Sequence, residues 1–142
     1  MKPIIGIVVG NILDFFVSAV LGAIVVAILT VPQVRKAAAH GLHPNAQTMM
    51  ASLTSSPSFL IATFATGAIG SLLGGFVAAW IAGQTEILCG ALSAAFGVIE
   101  GVRELAAGTS GVPLLLMVVS ILLSPLLGVL GAQIRMSMAR RR

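Results

Sequence analysis

Residues 4–29 form an apolar run that holds a single charge, Asp14, and no other feature limits the fold as tightly. At 1.5 Å per helical residue, such a run crosses a hydrocarbon core of about 30 Å. A carboxyl at mid-depth costs roughly 2.5–3.5 kcal/mol to insert, so its presence needs a physical reason. Around it, Gly6, Gly10, Ser18 and Gly22 recur at four-residue steps. On a helix this makes one narrow stripe of minimal side chains with a carboxyl at its centre, suited to close contact with a neighbouring helix. The run is too long for the apolar core of a secretory signal, and no small-residue cleavage site closes it before Pro32. It reads as a first transmembrane helix.

Only 8% of the chain is charged and its mean hydropathy is +1.09. A soluble domain carries about 25% charged residues, so this chain lacks the polar surface to stand in water. Four apolar blocks predict spans over residues 4–29, 59–82, 86–104 and 112–134, with an external loop over 30–58, in a single membrane domain covering 1–142. The expected fold class is all-α integral membrane: four transmembrane helices packed through small-residue faces, the third helix short. Between Glu86 and Glu100 the third block reaches only about 20 Å as a helix. It reads either as a full span with acidic ends at the interfaces or as a short helix sheltered by the others. The span is favoured because an even count turns residues 83–86 into a tight hairpin.

Charge sets the orientation. Arg135, Arg140, Arg141 and Arg142 follow the last span and Lys2 precedes the first, which places both termini on the cytoplasmic side of a prokaryotic inner membrane. Arg35 and Lys36 in the outside loop run against that tendency. Nucleic acid is not an expected partner: the arginine cluster is short, lacks aromatics and abuts a span. The single cysteine, Cys89, has no intrachain partner for a disulfide. In the loop, Pro32, Gly41, Pro44 and Pro57 punctuate the chain. Asn45 can cap a short interfacial helix through Leu53 with Met49 and Met50 on one side, and a plain external loop fits equally.

The second block carries two small-residue rows, Gly67-Ser71-Gly75 and Gly70-Gly74-Ala78-Ala82. The third repeats the pattern with Gly90-Ala94 and Ser93-Gly97-Gly101, and the fourth with Ser124-Gly128-Ala132. Such rows let helix backbones approach closely in lipid, and a close hairpin of the second and third blocks is expected through them. Ser124-Pro125 is expected to kink the fourth span. The glycine-rich run is no phosphate loop, since it lacks the Lys-Ser/Thr ending.

Gly74-Gly75-Phe76-Val77-Ala78-Ala79-Trp80-Ile81-Ala82-Gly83, followed by Gly90-Ala91-Leu92, resembles a GGxxAxxIAG…GAL pattern of small prokaryotic four-helix membrane proteins. The likeness spans about 30 residues and implies fold and localisation only. Gln84 and Glu86 stand where those families often carry a basic residue or a histidine.

Few other residues suggest chemistry. His40 and His43 lack further ligands for a metal, so no metal site is expected. With no nucleophile–base constellation, an enzyme is not expected, and no cofactor is predicted. Lipids, or pigments bound within a larger complex, remain open. Glu100, Arg103 and Glu104 form an interfacial charge cluster in which Arg103 neutralises Glu100, and Glu86 is expected to be exposed in the first turn of the third helix.

No Lys or Arg inside the spans can pair with Asp14. Asn11 and Ser18 lie one turn away on the same helix, and Thr63, Thr66, Ser93, Ser120 and Ser124 are possible partners elsewhere. The carboxyl is expected to be protonated and hydrogen-bonded, or paired with a positive group of another chain. The sparse polar content of the spans favours a non-catalytic structural or accessory subunit, packing against other membrane subunits, copies of itself and the lipid bilayer. The alternative is a small proton or cation channel or transporter using Asp14.

Overall fold

The computed structural model describes residues 1–41, 45–83, 85–108 and 113–141. His43, Gln84, Val112 and Arg142 lie outside them. All regular structure among the described residues is helical, in six elements: α1 (Lys2–Ala39), α2 (Ala46–Thr54), α3 (Pro57–Ala82), α4 (Glu86–Leu92), α5 (Ala95–Ala107) and α6 (Leu114–Ala139). Three of them, α1, α3 and α6, are long and apolar enough to cross a membrane.

Local chemistry sets the boundaries. The Asn45 side chain accepts a hydrogen bond from the Gln47 N–H at 2.9 Å, capping α2, and the Ser56 hydroxyl accepts from Phe59 N at 3.2 Å, with Pro57 opening α3. Gly83, at φ +63°, ends α3 in the left-handed region that glycine enters without a Cβ penalty.

Three expectations need correction. First, residues 30–39 are not loop, because α1 continues through Pro32 to Ala39. The proline removes one backbone donor, whereas ending the helix in apolar surroundings would strand several. Second, the third block is not one helix. It breaks at Ser93-Ala94 into α4 and α5. Third, α4 lies beside α3 but also packs closely against α6, with Gly90 on Gly128, a contact the sequence did not point to. The helix α6 runs on through Pro125 as one element.

Contacts define the topology. Gly6 lies against Ala78 and Ala82, and Gly10 against Gly74, so α1 and α3 are antiparallel. Thr63 and Gly67 share a wall with Ser120 and Ser124, while Gly75 meets Gly128, so α3 and α6 are parallel. Glu86 pairs with Arg135 at one end and Gly101 abuts Ile121 further on, so α4 and α5 together run antiparallel to α6. The bundle therefore has a terminal end (the start of α1 and α4, the finish of α3 and α6) and a distal end.

The interior is built from backbone and methyl groups. Ala78, Ala79 and Ala132 are fully buried, and Cys89 and Ser93 are the largest side chains to be so. Large apolar residues point outward instead, among them Phe15, Phe16, Trp80 and Leu115. That inverted distribution suits a molecule surrounded by lipid, and the apolar helices mark it as membrane-associated.

Candidate functional site

The Asp14 carboxyl sits between α1 and α3, level with Gly70 and Ser71 near the middle of α3. Ser18 Oγ donates to its Oδ1 at 3.3 Å and Ser71 Oγ donates to its Oδ2 at 3.1 Å. Gly70 makes the space: a methyl group there would stand 2.5 Å from Asp14 Oδ1 and 2.9 Å from the Asp14 carbonyl oxygen. Ser71, read from the sequence only as part of a packing row, is thus a direct partner of the acid. Its hydroxyl among glycines was the available signal.

Asn11 does something else. Its Nδ2 donates to the Leu92 carbonyl at 2.9 Å, and its Oδ1 accepts from the Phe96 N–H at 3.0 Å. An unbroken helix would join Phe96 N–H to Leu92 C=O directly. The Asn11 carboxamide is inserted between them, satisfying both groups where α4 ends and α5 begins. A third bond runs from Nδ2 to Ile7 O at 2.9 Å. The helix break is therefore held open by a side chain of α1, one turn from Asp14. Beside it, Phe15 and Phe96 meet edge to face, their ring centres 5.9 Å apart.

On the terminal side of Asp14 the helices touch backbone to backbone. A methyl group at Gly10 would lie 2.8 Å from Gly74 O and from the Cβ atoms of Ala78 and Ser93. At Gly6 it would lie 2.6 Å from Ala78 O, and at Gly74 2.7 Å from Gly10 O. Gly75, Gly90 and Gly128 converge, and Gly131 abuts Leu72 and Phe76. The Glu86–Arg135 ion pair joins α4 to α6 at this end at 2.6 Å, with the two side chains only 13% and 23% exposed, and it borders a wide surface cavity of about 800 Å³ that Leu88 and Arg140 also line. This corrects the expectation of an exposed Glu86, and it takes Arg135 out of the free terminal cluster.

On the distal side there is space. A cavity of about 160 Å³ lies against Asp14, Asn11, Ser18 and Ser71. It adjoins a second, of about 270 Å³, between α3, α5 and α6, and Gly67, Gly97 and Ser124 line both. The second reaches Phe59, Leu116 and Glu104 at the distal end. Gly67 and Gly97 are therefore not at helix contacts; a methyl group at either, or at Gly22, meets nothing within 4 Å.

The remaining residues fall elsewhere. Thr63 and Ser120 line the larger cavity, Thr66 donates to Thr63 O, and Ser93 donates to Gly90 O. None of these reaches the Asp14 carboxyl by a hydrogen bond. Arg103 pairs with Glu100 at 3.4 Å on an exposed surface. Among the described residues no three His, Cys, Asp or Glu side chains are grouped so as to hold a metal ion.

The fold and site define an apolar helical bundle with a hydrogen-bonded acid at mid-depth beside an interrupted helix. In comparison with known proteins, no family, no curated protein and no solved structure matches this chain.

Proposed function

We propose that this chain is a small multi-pass membrane protein that takes up a proton or cation at Asp14 and passes it across the bilayer. One observation carries the reading. The acid lies where backbone-to-backbone helix packing gives way to open space between the helices, level with a break in the neighbouring α4–α5 pair. Interrupted helices beside a mid-depth ionisable group are the usual construction of membrane ion and substrate sites. In this reading α4 and α5 supply a fourth, interrupted crossing.

Each residue then has a part. Asp14 holds the proton or cation, Ser18 and Ser71 orient the carboxyl, and Gly70 leaves room for it. Asn11 keeps the helix break open, so that α4 can shift against Gly128 without stranding backbone groups. Charge supports cytoplasmic termini in a prokaryotic inner membrane: Lys2, Arg135, Arg140 and Arg141 gather at the terminal end against Glu86 alone. The distal end sets Arg35, Lys36 and Arg103 against Glu100 and Glu104, a net of one positive charge.

The test is ion flux into liposomes holding the pure protein. Proton or cation flux is expected in the native chain and absent in Asp14→Asn. Equal flux from both proteins, or none from the native chain, would contradict the reading.

A second reading, an accessory or self-assembling subunit, is favoured by α1. None of the residues in its most apolar 18-residue window is buried, so its outer face meets lipid or another chain. Purification in mild detergent separates the two, since a stable stoichiometric complex with other membrane subunits is expected only from the second. There, Asp14→Asn would retain assembly and Asp14→Leu would lose it.

A further inference from the structure

We infer that the open half binds a lipophilic organic cation, with its charge at Asp14 and its apolar body in the space between α3, α5 and α6. This rests on Asp14 being an ion-binding site, as proposed above, and adds the class of ligand.

Size comes first. A proton needs no cavity, and a bare metal ion needs only a few tens of Å³. The adjoining spaces of about 160 and 270 Å³ reach instead the lower end of the range of small-molecule pockets, roughly 300 Å³ and upward. The lining comes second. Most of it is apolar, with Phe59, Phe64, Met117 and Leu127 around the larger space. The hydroxyls of Ser120 and Ser124 donate to the carbonyls of Leu116 and Ser120 on their own helix, at 2.8 and 3.0 Å. A hydrated inorganic cation would have to shed its water here with few oxygens to replace it. An organic cation carries little bound water, and its apolar body gains from the same walls.

Charge is the third observation. Among the described residues no Lys or Arg lines either cavity, whereas an acid stands at each end of the track, Asp14 at the floor and Glu104 at the distal mouth. Phe15 and Phe96 also line the space beside Asp14, and aromatic rings attract a cation through their faces and not an anion. The arrangement selects positive charge on an apolar frame. Gly67, Gly97 and Ser124, which line both spaces, form the neck between them.

The experiment measures equilibrium binding of tetraphenylphosphonium to the purified full chain in lipid nanodiscs. Saturable binding is expected in the native chain, at least tenfold weaker in Asp14→Asn. Gly97→Leu places a side chain in the neck, where a Cβ meets nothing within 4 Å, and is expected to weaken binding at least tenfold with no fall in the melting midpoint. Gly22→Leu adds the same side chain outside both cavities and should bind as the native chain does. No saturable binding, or binding indifferent to both Asp14→Asn and Gly97→Leu, would overturn the inference. Asp14-dependent proton flux without phosphonium binding would remove the ligand class and leave the transport reading standing. Asp14-dependent binding without flux of any ion would do the reverse.

Discussion

Toward the termini, a methyl group added at Gly10, Gly74 or Gly90 meets a neighbouring helix within 3 Å; toward the distal end, one added at Gly22, Gly67 or Gly97 meets nothing within 4 Å. The residue type and the four-residue spacing are the same in both halves. In one they let backbones touch, and in the other they leave a track open to the middle of the bundle. Small-residue rows therefore specify clearance, and the neighbour decides whether it is filled. Asp14 stands at the boundary, with its hydrogen-bond partners on α1 and α3 and its free volume on the distal side.

Substitutions that break this contrast should have graded effects. The largest is expected from Gly128→Leu, which drives a side chain into the Gly90 backbone. Overpacking of this kind costs about 3 kcal/mol, and the variant should lose its cooperative melting transition in detergent. Asn11→Leu comes next. It removes the shared partner of the Leu92 carbonyl and the Phe96 N–H, at about 1–3 kcal/mol in all since the two groups can close on each other, and should change amide exchange selectively around residues 93–97. Glu86→Gln uncouples α4 from Arg135 at the terminal end. A loss of about 1–3 kcal/mol is expected, between the exposed and the fully buried case, read as a lowered melting midpoint. Gly67→Ala should have the opposite sign. In the open half it gains helix propensity, about 1 kcal/mol, without a clash, and should raise the midpoint slightly. Arg103→Ala, at an exposed pair, should change stability by less than about 0.5 kcal/mol.

How much of this was legible in the sequence depends on how far apart the interacting residues lie. The long helices α1, α3 and α6 follow from apolar length alone, and the cap at Asn45 follows from a side chain acting two residues away. The break at Ser93-Ala94 was not legible, because its cause is Asn11, 81 positions away from Leu92. The local sequence there has no proline, and its Ser and Gly content suits close packing as well as interruption. Glu86 looked exposed for the same reason, since Arg135 reaches it only after α4 folds onto α6. Pro32 misled in the other direction. Proline marks a loop in water, but in apolar surroundings a helix keeps going past one lost donor. The stripe around Asp14 was visible as a stripe, yet nothing local separates Gly10, which packs, from Gly22, which does not.

The contrast between halves is tested most directly by thiol labelling, because the chain carries its own control. Cys89 lies in the packed half at 1% exposure, and Ser124 lies at the neck of the open half. The Ser124→Cys protein, treated in its folded state with a water-soluble cationic methanethiosulfonate, is expected to take one label by mass, at residue 124, with Cys89 modified only after unfolding. Labelling of Cys89 as fast as residue 124, or no labelling at residue 124, would contradict a bundle whose helices are in close backbone contact on one side of Asp14 and apart on the other.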